Sequence, residues 1–580
     1  MYSYLKALEN SLSEEKKDII KRIYAPIAVT VPLADSRRDV CIMPDGEIRS
    51  YGKLYTTSHT GKDGVTAYLS SHDCGLSWEI KYSEGKMNSC SYFDKEDIYI
   101  TVCDYSNNNK TISTGLNVYR SKIGPDDASP EIIKLSDEPY YCSFLPQQSA
   151  FSDRIWFTTQ VNNTPVFFYS DDFGKTWTKR SFPAPHNFET VFPHKGLRWC
   201  NGSGTEPYVT ELSENKMMMI IRTPMDCFYQ SFSYDGGDSW TTPEPSCFYG
   251  TNTTAFLLRL SDGRIISFWN NTKPLSQPNH NVTTPFAGTD VADGMGENAF
   301  TNRDAAHAAI SENHGESWIG YREIFLNPIR NNSDFRYLGG TVSSMDKSVH
   351  QFQAYELPFN KVLVSVGQNV ASRRIIIFDI DWLYEKNRKE NFTEGLGNIS
   401  THTYLKSISG SHCDVAGNGH CAKNRTYCAY PMPNPDGGYD EGLYISKKHD
   451  ERLINDIGGA CWNFPASHRG SVTVDMKLTE KQAKFILTDR WYNTCDHYAA
   501  TQSPFWFELD VADIGTEFVK IKIDFDTEKG IANVFVNENP IFKVRMTNVC
   551  PTGISYIIFQ CDTDGDSNGF YIRSIKKTEI

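Results

Sequence analysis

Six times between residues 39 and 368 an apolar run of strand length is followed by a turn and a second apolar run. The segments are 39–52, 90–103, 142–160, 206–222, 254–270 and 349–368, and each predicts a pair of antiparallel strands. A polar signature punctuates them, Ser-x-Asp-x-Gly-x-Ser/Thr-Trp. It occurs at Ser71 to Trp78, Ser170 to Trp177 and Ser233 to Trp240, and at Ser311 to Trp318 with Asn313 in the Asp position. In each copy the Asp or Asn can bond its own turn backbone, the Gly supplies a permissive backbone angle, and the Trp opens the next strand and buries its ring. The copies start 99, 63 and 78 residues apart. That spacing fits one antiparallel sheet per interval, the longest interval holding a sheet without the signature. Repeats at such periods predict a β-propeller, here of six blades, with a last strand near 375–383.

The pattern differs on either side. Residues 1–22 alternate apolar positions with Glu and Lys, which predicts a short amphipathic helix. A polar stretch at 386–403 predicts a linker. Beyond it come short alternating runs at 470–477, 518–525, 531–536 and 569–574, which predict a separate β-sandwich, jelly-roll-like in texture. The expected chain is all-β: an N-terminal helix in 1–25, a six-bladed propeller over 26–385, a linker over 386–403 and a sandwich over 404–580 that either binds sugar or braces the propeller.

Bulk properties narrow the partners. A formal net charge of -13 without a Lys/Arg run argues against nucleic acid. No apolar stretch approaches the roughly 20 residues that span a bilayer, so no membrane association is expected. The N-terminus lacks the basic-then-apolar pattern of a signal peptide, and the 15 cysteines lack framework spacing, which together predict reduced thiols in the cytoplasm. No cofactor is implied. Cys413, Cys421 and Cys428, with His412 and His420, are separated by seven and six residues, looser than zinc sites use, and read as buried thiols. The acidic stretch 562–568 resembles a calcium loop in composition but lacks its closing Glu, and reads as a polar hairpin tip.

In a propeller, polar residues early on the innermost strands converge on one end of the central channel. The Arg and carboxylate candidates are Arg37 and Arg38 at the start of the first repeat, Asp63 in Gly-Lys-Asp-Gly just ahead of its turn, Glu206 in Glu-Pro-Tyr-Val-Thr-Glu-Leu, Arg222 at the end of the fourth repeat's second strand, and Arg303 in Thr-Asn-Arg-Asp in the outer part of the fifth. With this order of Arg, Asp, Glu, Arg and Arg and the four turn signatures, residues 30 to 385 resemble the sialidase (neuraminidase) superfamily. The resemblance implies an exo-acting glycoside hydrolase, exo-α-sialidase-like, that takes a glycan or oligosaccharide ending in an acidic sugar. It further implies that Arg38 (or Arg37), Arg222 and Arg303 grip the substrate carboxylate, as guanidinium forks do. Asp63 would be the acid/base and Glu206 the buried carboxylate that activates a nucleophilic Tyr, with Glu211 a poorer copy farther along the strand.

The sixth repeat departs from that pattern. Where the family places Tyr-Ser, this chain has His350-Gln351; Tyr337 stands upstream and Tyr355 too far along the strand. Two routes follow. In one, Tyr337 attacks the anomeric carbon with Glu206 as base while Asp63 protonates the leaving oxygen; in the other, Glu206 or His350 activates water. Each residue also has a structural reading. An Arg at a strand end commonly forms a surface ion pair, Glu-Pro starts a strand, Asp63 suits a turn, and His350 and Gln351 suit a channel lining.

Overall fold

The computed structural model describes residues 3–580 except 33–39, 52–65, 105–114, 163, 187–205, 224, 226, 251–252, 274–302, 327–348, 368–371, 405–424, 448, 450–456, 480 and 562–568. Arg37, Arg38, Asp63 and Tyr337 therefore lie outside the described residues, as do His412 to Cys421 and the acidic stretch 562–568.

All six expected strand pairs form, and each is completed into an antiparallel sheet. The first sheet runs Val40–Ile42, Ile48–Tyr51, Thr66–Ser71 and Glu79–Ser83; the fourth runs Tyr208–Ser213, Lys216–Ile221, Cys227–Ser233 and Glu244–Tyr249. The fifth runs Phe256–Arg259, Ile265–Trp269, Ala305–Ser311 and Ile319–Leu326. The sixth differs from expectation at its edge. Arg374–Asp379 is its third strand and ends in a 3-10 turn, Ile380–Tyr384, while its outer strand is Ile27–Thr30 from the start of the chain. Asp379 ends the strand by accepting a bond from the Asp381 amide at 2.8 Å.

Each sheet touches the next, and the sixth touches the first. Asp126 joins the second sheet to Arg49 and Ser83 of the first, Gln147 Nε2 donates to Val209 O across the third and fourth, and Tyr208 stacks 4.3 Å from Phe256 across the fourth and fifth. The Gln353 side-chain amide holds both the Val40 N–H and C=O, at 2.9 and 2.6 Å, which ties the sixth sheet to the first. Strands wedged between neighbours are buried on both faces, as Ile265–Trp269 and Ala305–Ser311 are throughout. Their Ile and Phe side chains each contribute on the order of 1.5–3 kcal/mol by leaving water, and the four alanines of the second strand less.

The N-terminus forms two helices rather than one, α1 (Ser3–Ser11) and α2 (Glu14–Arg22). Ser13 separates them because its side chain caps α2, accepting from the Lys16 amide. Acidic residues in the first turn of α2 and basic ones in its last suit the helix dipole. Lys16 then docks the helix on the first turn signature through Asp73, at 2.9 Å.

In the C-terminal region an eight-stranded and a five-stranded sheet share one apolar core, with Val474 and Ile572 from the first facing Phe485, Ile557 and Phe559 from the second. Here burial alternates along outer strands such as Val519–Asp526, the mark of one wet face. The stretch read as a linker carries strands of its own: Arg388–Glu390 pairs with Gly569–Thr578, Ile399–Ser400 with Gly458–Ser467, and His402–Tyr404 with Arg425–Tyr427. No helix among the described residues is long and apolar enough to cross a membrane. Cys41, Cys74, Cys90, Cys461 and Cys550 are buried thiols.

Candidate functional site

The sheets have two distinct ends. At one, the turn signatures join third and fourth strands. Ser71, Ser170, Ser233 and Ser311 each accept from the amide of the signature glycine at 2.7–2.9 Å, and each Asp or Asn accepts from the amide four residues on. Trp78, Trp177 and Trp240 each return an indole N–H to the glycine carbonyl. These Asp residues are fully engaged in their turns and have a structural role.

At the other end first strands begin, second strands end and third strands begin. Glu206 sits two residues before Tyr208–Ser213, Arg222 follows Lys216–Ile221, Arg303 precedes Ala305–Ser311, and His350 precedes Gln353–Leu357. All four are buried. Arg222 Nη1 donates to Glu206 Oε2 at 2.7 Å inside the fold. Burial pulls the Arg222 guanidinium down to about 10; Glu206 opposes that shift, and the nearby charge of Arg303 adds to it. The group stays charged at any working pH, so the fold holds two guanidinium charges within each other's field.

Arg303 Nη1 lies 3.4 Å from His350 Nε2, and the Gln351 amide nitrogen lies 3.5 Å from the same atom. Arginine can only donate, so His350 Nε2 is an acceptor and carries a lone pair. The Val349 amide donates to Arg303 O at 2.9 Å, which sets the spacing between the two chains. Five residues picked from the sequence thus form one connected row: Glu206, Arg222, Arg303, His350 and Gln351. The backbone is strained where they sit. Glu206 has φ of +30° and Gln351 +66°, positions that cost a non-glycine residue about 1–3 kcal/mol.

The structure separates the two other candidates from this row. Glu211 lies toward the far end of its strand, where it accepts from Ser149 Oγ at 2.6 Å and the Ala150 amide at 2.7 Å. Burial raises its pKa and those bonds hold it back. The Tyr355 hydroxyl donates to Val40 O at 2.8 Å, and burial raises it far above the ordinary range. Both line a cavity of about 440 Å³ walled by the first strands of all six sheets, among them Ile42, Ser91, Gln147, Thr210, Leu257 and Ala354, with Tyr4 and Ala7 of α1 at its far end. The cavity reaches Tyr208 and Gln353, each two residues from the charged row. The buried ion pair and the second buried guanidinium lie in the row at the strand starts.

Sequence reading missed other polar groups at this end of the sheets. Gln160 Oε1 accepts the Glu206 amide at 2.9 Å, and Asp104, fully buried, accepts the Ser143 amide at 2.7 Å. Asn270 Nδ2 bridges Ala305 O and Val349 O. Arg373, 1% exposed, donates to Ser365 Oγ and, at 3.1 Å, to Ser50 Oγ between the sixth and first sheets. One signal was available: Ser372-Arg373-Arg374 repeats the tripeptide Ser36-Arg37-Arg38 just before a strand. Among the described residues no group of three or more His, Cys, Asp or Glu side chains is placed to hold a metal ion.

Residues 150–332 match the BNR repeat-like domain family, less than half of the chain. No curated protein matches it. Among solved structures it is similar to a Dyadobacter fermentans protein of unknown function, at 17% identity over 61% of this chain and 97% of that one, with a TM-score of 0.38. It is also similar to Trypanosoma rangeli sialidase (11% identity, 96% of this chain and 91% of that one, TM-score 0.32) and to the NanB sialidase of Streptococcus pneumoniae (12%, 64% and 73%, TM-score 0.37).

Proposed function

We propose that the chain is an exo-acting glycoside hydrolase that removes a terminal acidic sugar, with sialic acid the first candidate. In this reading 26–385 is a closed six-bladed propeller, 1–25 caps the far end of its channel, 386–403 connects, and 404–580 is a β-sandwich. The observation that carries the reading is the buried pair Arg222 and Arg303, drawn from adjacent sheets and coupled in charge beside Glu206 and His350. Two cations in one buried field are costly unless an anion shares it. Glu206 is one such anion, paired with Arg222, and a sugar carboxylate that both guanidinium groups attract would be another.

Arg222 and Arg303, with Arg37 or Arg38, hold that carboxylate bidentately. Asp63 protonates the departing glycosidic oxygen while the Tyr337 oxygen, giving its proton to Glu206, attacks the anomeric carbon; water, deprotonated by Asp63, then displaces Tyr337, which regains its proton from Glu206. A second route is suggested by one specific contact: His350 Nε2 accepts from Arg303, so once Arg303 turns that N–H to the substrate carboxylate the freed lone pair takes a proton from water, which attacks the anomeric carbon as Asp63 protonates the leaving oxygen, with no covalent intermediate.

The test is sugar release from glycosides ending in sialic acid, another keto-deoxy acid, a hexuronic acid and a neutral hexose, with product anomers followed by NMR. Release of an acidic sugar with retained configuration supports the Tyr route, and inversion supports His350. Binding without release would make the protein a lectin; release of the neutral hexose alone would remove the arginines from the clamp.

A further inference from the structure

The C-terminal region grips the fifth sheet at the end that carries Arg303. Asn271 follows the second strand of that sheet. Its amide donates to His307 Nδ1 at 3.0 Å, its side chain donates to Asp489 O at 2.8 Å, and its carbonyl accepts from the Trp491 amide at 2.9 Å. The Trp491 carbonyl accepts the Lys273 amide, and Thr272 bridges to Trp491 as a parallel β-partner. Ala305, two residues beyond Arg303, is buried in one cluster with Trp491, Tyr492 and Tyr556.

His307 lies four residues beyond Arg303, on the strand that Arg303 precedes. Because its Nδ1 accepts a backbone N–H, its proton is on Nε2, which faces Tyr556 Oη at 2.5 Å. Tyr556 in turn donates to Glu323 Oε2 at 2.9 Å. Burial pulls the His307 pKa down to about 3, so the ring is neutral at working pH and the three bonds run in one direction: backbone N–H to imidazole, imidazole N–H to phenol, phenol O–H to carboxylate. This relay crosses from the fifth sheet to Ile554–Cys561 and back. On the side of the site, the Asn270 side chain ties Ala305 O to Val349 O, and Val349 ties to Arg303 O.

We propose that Tyr556 is a positioning residue for carboxylate recognition: it fixes His307 and hence the strand whose entry presents Arg303. The proposal rests on the functional reading above. It makes the C-terminal region part of the recognition apparatus rather than an independent sugar-binding appendage.

Tyr556→Phe keeps the ring in its apolar cluster and removes the hydroxyl that joins His307 to Glu323. The full chain is titrated calorimetrically with sialic acid and with its carboxamide. The parent should prefer the carboxylate, and the variant should lose about tenfold of that preference while carboxamide affinity moves by less than about twofold. Equal weakening of both ligands, or no change in preference beside a discriminating parent, overturns the positioning role alone. A parent that binds neither ligand, or does not discriminate between them, overturns the functional reading and this role with it. If Tyr556→Phe does not fold, Glu323→Gln keeps an acceptor of the same size at the end of the relay but removes its charge. It should then cost about two- to threefold of the same preference, and an unchanged preference overturns the role.

Discussion

The two ends of the same six sheets are built on opposite plans. At the turn end the repeated contacts are local: Asp73, Asp172, Asp235 and Asn313 each bond residues within four positions, and one eight-residue pattern makes the same turn four times, to which Lys16 adds a distant partner at Asp73. At the strand-start end the contacts reach far along the chain. Glu206 meets Arg222 sixteen residues on, its amide meets Gln160 forty-six residues back, and Arg303 meets His350 forty-seven residues on. Positive φ is shared by both ends: Cys74, Phe173 and His314 adopt it in the turns, each beside its signature glycine, and Glu206 and Gln351 adopt it at the strand starts. Local repetition builds a scaffold; buried, long-range charge pairing is concentrated where chemistry is proposed.

Exchanging one carboxylate at each end should separate the plans most sharply. Glu206→Gln keeps an acceptor for Arg222 and removes the charge, so kcat for an acidic-sugar glycoside should fall about 10³-fold while circular dichroism stays that of the parent. Retained turnover would falsify the role of Glu206. Asp73→Ala should do the reverse. It strips the partners of Ser71, Ser77 and Lys16 and should cost about 2–3 kcal/mol in denaturant unfolding, with kcat per folded molecule unchanged.

Acid should act at the turn end first. Burial raises the pKa of Asp73, Asp172 and Asp235, but hydrogen bonds from Ser77, Thr176 and Ser239 outweigh it and leave all three below the ordinary aspartate value. A carboxylate with a depressed folded pKa stabilises fully above its unfolded pKa, near 4, and loses that contribution as pH falls through the folded value. Tm should therefore be level from neutrality to about pH 5 and decline below about pH 4, and Asp73→Asn should flatten the decline. A profile as steep as the parent's would remove Asp73 as a source.

This contrast also explains what could be read in advance. The six strand pairs and the four turns were legible because each is encoded within about twenty consecutive residues by alternation and by Ser, Asp, Gly and Trp at fixed offsets. Arg222, Arg303 and His350 could be picked out because an Arg or His at a strand end is conspicuous. That they form one row was not legible, since their spacing depends on how adjacent sheets stack. Gln160, Asn270 and Arg373 were missed for the same reason: an amide near a strand end looks like any surface amide until a neighbouring sheet brings it a partner. The outer strand of the sixth sheet, Ile27–Thr30, pairs with residues almost 350 positions away, and short-range patterning carries no signal for that.

Two smaller substitutions probe one position at each end. Gln351→Gly relieves φ of +66° and should stabilise the fold by about 1 kcal/mol while lowering kcat/KM, because the amide beside His350 Nε2 is lost. Higher stability at full activity would mean that the strain has no part in the site. The smallest effect belongs to the one turn that departs from the signature. Asn313 Oδ1 already accepts the Ser317 amide at 2.9 Å, as the aspartates do in the other turns, while its Nδ2 donates to Ser317 Oγ at 2.8 Å. Asn313→Asp reverses that last bond, with Ser317 becoming the donor as Ser77 and Ser239 are, so unfolding free energy should change by less than about 0.5 kcal/mol at neutral pH. The variant should instead acquire the acid sensitivity of the other three turns, since a carboxylate titrates near pH 4 where an amide does not. A loss above about 1 kcal/mol at neutral pH would mean that the fourth turn is tuned to its neighbours and is not an interchangeable copy.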